Sequence, residues 1–295
     1  MKKCIILGLK VILIAIIMFI GMAVSTVIVG VHTSGSSNNS IAPLLFFCLI
    51  NSGILTAYML NSKMRGIKLI GITFLIFWGT QYFMTQIETL YFDSAVKMPL
   101  LDTMQVIIMG AISVLISSFF AALILGKFKN KAMPEGENTI NAIKVSLVKL
   151  LPNVVILAFC YVIIYFLFGY FVAWQFPAVR EYYTGSTAIL NVFQHMTNQL
   201  KTDPVLPLFQ LFRGFLWAGL AVLIITSLNT QGFKTYLITG LLFSILIASP
   251  LILPNAYMPT PVRLAHSIEL FTSMFAFGIL SNIIFRSKLG INVVE

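Results

Sequence analysis

Long apolar runs with almost no charge are the feature of this sequence that most constrains its fold. A helix that crosses a hydrocarbon core of about 30 Å needs about 20 apolar residues, and Gly, Pro, Asn, Ser or charged residues separate such runs here. We count eight runs, at 5–30, 41–60, 67–90, 103–126, 152–173, 207–228, 236–253 and 263–285. The sequence therefore predicts an all-α polytopic transmembrane helix bundle, with residues 1–295 forming a single integral membrane domain.

The composition argues against the soluble classes of protein. Hydrophobic residues make up 59% of the chain and charged residues only 9%, whereas an average soluble domain is about 25% charged. So few charged side chains cannot cover the surface of a soluble enzyme. The three cysteines show no CxxC spacing, so they indicate neither a metal site nor a disulfide framework.

The positions of lysine and arginine predict how the bundle lies in the membrane. Positive residues in short loops stay on the cytoplasmic side, and an N-in topology places 14 of the 19 on the inner side and 5 on the outer side. We therefore predict an N-in, C-in protein of the cell (plasma) membrane. The first run is longer than a signal-peptide core of 7–15 residues, so we expect it to be retained.

This loop bias also accounts for the net charge of +10. The positive residues are scattered over short loops and do not gather on one solvated face, as a nucleic-acid-binding surface requires. The expected partner is the lipid bilayer, with an anionic lipid or a lipid-linked substrate as a further candidate, and no nucleic acid.

Two loops are long enough to hold structure of their own. In the inner loop, 127–151, apolar residues recur at helical spacing from 140 onwards, which fits an interfacial helix or the start of the fifth span. The outer segment, 174–206, places Ile189, Phe193, Met196 and Leu200 on one helical face. We expect an amphipathic helix there, lying on the outer surface.

Three runs carry polar stripes at their outer ends, where a charge costs several kcal/mol unless it is paired or hydrated. Residues at these spacings share one face of a helix at about 100° per residue. The stripes are Gln81, Thr85 and Glu88 in the third run, Gln210, Arg213 and Trp217 in the sixth, and His266, Glu269 and Ser273 in the eighth. If they face one another, they enclose an outward-facing polar cavity.

The residue types in these stripes suggest roles. Carboxylates and histidine perform general acid–base chemistry, so the candidate catalytic residues are Glu88, Glu269 and His266. Arginine offers a planar fork that fits carboxylate or phosphate, and amides add hydrogen bonds. The candidate substrate-binding residues are Arg213, Gln81, Gln210, Arg180, Arg263 and His195.

Two simpler interpretations stay open at this point. Arg213 and one carboxylate form an adequate structural ion pair that needs no ligand. The spacing His266-x-x-Glu269 allows both side chains to hold a metal ion from one helix, but HxxE arises easily by chance. We therefore predict no metal ligand, and the sequence indicates no particular cofactor.

The predicted function is an outward-facing charged cavity that binds or acts on an anionic or lipid-linked substrate. One alternative is a transporter or facilitator for a small solute, with hydroxyl groups near the midplane at Ser113, Ser117, Ser118 and Ser244. The other is a non-catalytic membrane partner, such as an immunity protein, a sensor or an assembly factor. The sequence leaves open whether the protein is an enzyme.

Overall fold

Eight helical segments are long and apolar enough to cross a membrane in the computed structural model, which describes residues 2–30, 41–129 and 147–286. This confirms the all-α polytopic bundle, while its orientation in the membrane stays a prediction. Five segments are single helices: α1 (Lys2–Val29), α2 (Ala42–Asn61), α6 (Leu100–Ile124), α10 (Leu206–Ser227) and α12 (Thr260–Arg286). A sixth consists of α7 (Leu147–Phe171) and the 3₁₀ turn that follows it at Ala173–Gln175.

The other two segments contain breaks in the α-helical pattern. The third joins α3 (Gly66–Trp78) to α4 (Met84–Tyr91) through a π-helical turn at Gly79–Phe83. The seventh is α11 (Phe233–Ala248), which tightens into a 3₁₀ turn at Ser249–Ile252. Pro250 lies in that turn, where a proline cannot continue the α-helical hydrogen bonds.

Three short helices lie outside these segments, namely α5 (Asp93–Val96), α8 (Pro177–Thr184) and α9 (Val192–Thr202). Helix α8 is followed by Gly185, whose positive φ of 70° suits glycine. Helix α9 begins after Asn191, whose side chain accepts the Gln194 N–H at 3.0 Å. It lies where the sequence predicts an amphipathic helix. Residues 130–146 lie outside the described part of the chain. Of the interfacial helix expected in the inner loop, only the residues from Leu147 onwards are described, and they belong to α7.

Hydrogen bonds between connecting segments define the two ends of the bundle. At the end that holds the start of α1, which we call the proximal end, Lys63 N–H donates to the Ser227 carbonyl and Gly66 N–H to the Lys127 carbonyl, both at 2.9 Å. At the opposite end, which we call the distal end, Tyr182 donates to the Ala95 carbonyl at 3.1 Å. The predicted topology makes the distal end the outer one.

Close helix crossings at small residues hold the bundle together. A Cβ atom added to Gly278 of α12 would lie 2.6 Å from the Gly240 Cα of α11. A Cβ atom added to Gly214 of α10 would lie 2.6 Å from the Ala158 carbonyl oxygen of α7. Small residues allow such approaches, because helices in lipid associate through close packing. The second crossing sets α7 and α10 side by side next to the site described below, and α12 packs against both of these helices.

Candidate functional site

A buried polar face on α10 forms the base of the site. Pro207 lies in the first turn of this helix, where its missing N–H costs nothing. Gln210, Arg213 and Trp217 follow at positions i, i+3 and i+7, and all three are buried. The start of the helix therefore places Arg213 about 10 Å along its axis from Leu206, at about 1.5 Å per residue.

Arg213 forms a two-pronged ion pair with Glu88 of α4. Its Nη1 and Nη2 atoms each lie 2.7 Å from one carboxylate oxygen, the geometry of the strongest arginine–carboxylate contacts. The Arg213 side chain is 1% exposed and that of Glu88 23% exposed. Arg213 Nη1 also donates to Gln210 Oε1 at 2.9 Å. The polar stripes of the third and sixth spans thus meet.

Aromatic rings surround the guanidinium group. Its central carbon lies 5.9 Å from the ring centre of Tyr161 and 5.8 Å from that of Phe209, distances at which a cation interacts with an aromatic face. Tyr91 stacks on Phe209 with ring centres 3.9 Å apart. The Tyr91 hydroxyl donates to the Asp203 carboxylate at 2.8 Å. Phe209, Tyr91 and Asp203 therefore link the site to the segment that precedes α10.

Three buried N–H donors on this face of α10 lack an acceptor among the described residues. They are Gln210 Nε2, Arg213 Nε and Trp217 Nε1. A buried donor without a partner costs about 1–3 kcal/mol, and native structures leave few such groups unsatisfied. The site therefore has hydrogen-bonding capacity beyond the Arg213–Glu88 pair.

A second polar group approaches from α12. His266 Nδ1 lies 3.5 Å from Glu269 Oε2, and His266 Nε2 lies 3.2 Å from the Tyr183 hydroxyl of α8. The Glu269 residue is 6% exposed, while the His266 side chain is 20% exposed. Burial, followed by the charges of Glu88, Tyr182 and Glu269, raises the pKa of Tyr183 above its ordinary range.

The charges of Glu88 and Glu269 both raise the pKa of Tyr183, and Arg213 pairs with Glu88. Side chains from all three predicted stripes therefore interact electrostatically at one place. We call this set of side chains the distal charged cluster. It consists of Glu88, Gln210, Arg213, His266 and Glu269.

Gln81 belongs to a different polar group. Its Nε2 atom donates to Asn51 Oδ1 of α2 at 2.8 Å and to the Ser249 hydroxyl at 3.0 Å. Asn51 Nδ2 also donates to the Ser249 hydroxyl, at 2.9 Å. All three residues are buried, and this polar network joins the π-helical turn to the 3₁₀ turn.

The remaining predicted binding residues lie in the distal connections. Arg180 donates to the carbonyls of Trp174 at 2.6 Å and Thr187 at 2.7 Å. His195 has its ring centre 4.5 Å from that of Trp174, and burial lowers its pKa. Neither residue forms a described hydrogen bond with the distal charged cluster.

The guanidinium group of Arg263 likewise forms hydrogen bonds with backbone carbonyls. It donates to the carbonyls of Leu251 at 3.0 Å, Leu253 at 2.5 Å and Met258 at 3.2 Å. These contacts fasten the turn after α11 to the start of α12. Within the described residues, Arg263 makes no hydrogen bond to the distal charged cluster.

Three residues at these sites escaped the sequence reasoning. Tyr161 looks like an ordinary aromatic residue within an apolar run, and Tyr183 like one near a membrane boundary. No spacing links them to Arg213 or His266. The sequence does point to Asn51, because this residue places a polar amide side chain in the middle of an apolar run. A polar side chain at that depth demands a partner.

The arrangement offers two kinds of chemistry. The α10 face presents a guanidinium and spare N–H donors to an acceptor-bearing group, while His266 and Glu269 offer acid–base groups beside it. Within the described residues, no group of three or more His, Cys, Asp or Glu side chains is placed to hold a metal ion. No family model, curated protein or solved structure matches this chain.

Proposed function

We propose that this multi-pass membrane protein binds an anionic or lipid-linked substrate at the distal charged cluster and acts on it there. The three buried N–H donors of α10 carry this proposal, because they have no described acceptor. Phosphate and carboxylate groups supply several acceptor oxygens and suit the planar fork of arginine. A substrate with such a group satisfies Arg213 Nε and Gln210 Nε2 without breaking the ion pair to Glu88.

The second carboxylate supports a chemical role for the cluster. One structural ion pair accounts for Arg213 and Glu88, but Glu269 and His266 exceed what that pair requires. A histidine held beside a carboxylate is the usual arrangement of a general acid or base. In this proposal Glu88 positions Arg213, while His266 and Glu269 move the proton.

Access to the cluster comes from the distal end, which the topology predicts to be the outer one. Glu88 and His266 are partly exposed there, in contrast to Arg213. A lipid-linked substrate in the outer leaflet of the plasma membrane reaches this depth with its headgroup while its chain remains in lipid. The proposed site is therefore outward-facing.

The test is native mass spectrometry of the protein extracted gently from its own membranes, with metal analysis of the same sample. We expect a bound phospholipid or lipid-linked phosphate on the wild-type protein and its loss in Arg213→Gln. Lys201→Gln removes a positive charge from exposed α9 and serves as the matched control, which keeps the bound mass.

A double variant separates binding from folding. Arg213→Gln together with Glu88→Gln removes both charges of the pair, so no buried carboxylate is left unpaired. We expect it to fold but to bind nothing. A wild-type protein that carries no acceptor-bearing ligand, or a double variant that keeps its ligand, would contradict the proposal.

One observation favours a facilitator for a small neutral solute as a second candidate. The network of Asn51, Gln81 and Ser249 lies where two spans depart from α-helical geometry. Interrupted helices line the substrate sites of many transporters. If small neutral solutes pass along this network, proteoliposomes that contain the wild-type protein swell in glycerol or urea gradients. Gln81→Leu then removes this swelling.

A further inference from the structure

One hydrogen-bonded chain links Tyr183, a partly exposed residue of the distal connection, to the buried carboxylate of Glu269. The Tyr183 hydroxyl of α8 lies 3.2 Å from His266 Nε2, and His266 Nδ1 lies 3.5 Å from Glu269 Oε2. Both ring nitrogens of the histidine are therefore engaged, each by a group that can exchange a proton. Hydrogen bonds in acid–base sites are often long until a ligand binds.

We propose that Tyr183, His266 and Glu269 form a proton relay through which Glu269 exchanges protons with the distal side. The relay gives Tyr183 a role as the outermost proton-transfer group of the site. It follows from the placement of α8 across the start of α12, where Val179 packs against Val262 and Ala265.

The proton transfer balances without any further reagent. The phenol proton of Tyr183 passes to His266 Nε2 while the Nδ1 proton passes to Glu269 Oε2. A hydronium ion at the distal surface returns a proton to the phenol oxygen and becomes water. Tyr183 and His266 end neutral, the histidine has changed tautomer, and Glu269 has become a carboxylic acid. The reverse sequence releases the proton.

The surroundings of Tyr183 keep its side chain a neutral phenol, which transfers a proton, and disfavour a stable phenolate. Burial and the negative charges of Glu88 and Glu269 raise the pKa of Tyr183 above its ordinary range. A phenolate nucleophile needs the opposite shift. The phenol therefore keeps its proton at neutral pH and gives it up only as another arrives.

Charged and titratable groups face this relay from several helices. Glu88 approaches from α4 and Arg213 from α10, and these two neutralise each other. Tyr161 and Tyr165 approach from α7. Since the ion pair contributes no net charge, and the relay operates with a neutral His266, the cluster is neutral when Glu269 is protonated and negative when it is ionised.

The relay has a consequence that rests on the proposed function. With Glu269 ionised and His266 neutral, the cluster carries one net negative charge and repels an anionic substrate. Proton uptake through Tyr183 removes that charge. Binding of an anionic headgroup is then accompanied by uptake of one proton from the distal side.

The test follows proton exchange at Glu269 by infrared spectroscopy of the purified protein in lipid, transferred from H₂O to D₂O below neutral pH. The band of its protonated carboxyl group is the one that Glu269→Gln removes. We expect Tyr183→Phe and His266→Gln to slow the exchange shift of this band by roughly a hundredfold, the scale of one acid–base group.

Tyr182→Phe is the matched control, because the Tyr182 hydroxyl donates to the carbonyls of Ala95 and Tyr257 and not to the relay. This variant keeps wild-type exchange. Tyr183→Phe loses only a hydroxyl and keeps the ring that stacks on Trp174. Wild-type exchange in Tyr183→Phe overturns the relay, and so does the absence of any band that depends on Glu269. Neither outcome bears on ligand retention by Arg213, which the mass spectrometry tests separately.

Discussion

Arg213 differs from Arg180 and Arg263 in what its side chain meets. All three arginines are buried near the distal end. Arg213 meets the carboxylate of Glu88, with spare donors and a second carboxylate nearby. Arg180 and Arg263, which we call the distal clamps, donate hydrogen bonds to backbone carbonyls in turns. These carbonyls have no hydrogen-bond partner within a helix.

The difference shows that a buried arginine does not mark a site by itself. A clamp replaces the hydrogen bonds that a turn lacks, so its guanidinium is part of the backbone structure. The distal charged cluster, by contrast, holds His266 and Glu269 in addition to the Arg213–Glu88 pair. That excess is what distinguishes a candidate site from a structural contact.

The largest effect that we expect comes from breaking the ion pair. Arg213→Gln leaves Glu88 without its partner inside the bundle, which costs about 3 kcal/mol, near the lower end of the range for buried pairs because Glu88 is partly exposed. Arg180→Gln loses hydrogen bonds from a charged guanidinium to two carbonyls, at about 1.5–3 kcal/mol. It leaves no carboxylate unpaired, so we expect its cost to be the smaller of the two. Thermal unfolding of both variants in one detergent measures the difference.

The double variant of Arg213→Gln with Glu88→Gln sharpens this comparison. Removing both charges abolishes the unpaired carboxylate, so most of the lost stability should return. Equal melting shifts for Arg213→Gln and Arg180→Gln would show that the pair to Glu88 is no more important to the fold than a clamp.

The sequence predicts the spans well because hydropathy is local. Each run of about 20 apolar residues crosses the membrane whatever its neighbours do. It also predicts that Arg213 needs a carboxylate at similar depth, and the structure places Glu88 there. The sequence does not show that Arg213 binds a carboxylate while Arg180 and Arg263 bind backbone carbonyls. Those carbonyls lack a helical hydrogen-bond partner only because the folded chain turns there.

Contacts between distant segments are the other limit of the sequence reasoning. Tyr183 reaches His266 because α8 folds across α12, and Gln81 reaches Asn51 because the π-helical turn faces α2. Neither contact follows from spacing along one helix. Such pairs are fixed by the packing order of eight helices, which hydropathy does not specify.

A smaller effect should come from the helix crossing that supports the cluster. Gly214→Ala forces a Cβ atom to 2.6 Å from the Ala158 carbonyl oxygen, so α7 and α10 must separate. Overpacking of this kind costs about 1–3 kcal/mol. Because Gly214 follows Arg213, we expect ligand retention in mass spectrometry to fall together with the melting temperature.

Gly219→Ala on the same helix is the matched control. A Cβ atom at Gly219 meets nothing within 4 Å, so this variant should keep the stability of the wild type or gain slightly from the better helix propensity of alanine. If both variants melt alike, the α7–α10 crossing does not constrain the site.

The smallest effect concerns His195, a titratable residue beside the distal clamps. Its ring contacts Trp174, whose carbonyl accepts from Arg180. Burial lowers the pKa of His195 below its ordinary value of about 6.5. The unfolded chain therefore takes up this proton first. Stability is complete above about pH 6.5 and falls as the pH drops toward the lowered folded pKa.

Fluorescence of Trp174 reports this titration, because a protonated imidazole in contact with an indole quenches its emission. We expect quenching with a midpoint below about 6.5, and none in His195→Phe, which keeps an aromatic ring against Trp174. The same variant should lose part of its melting-temperature decrease between about pH 7 and about pH 5. Quenching with a midpoint above 6.5 would mean that a negative charge faces His195, so that the clamp region and the distal charged cluster are not electrostatically separate.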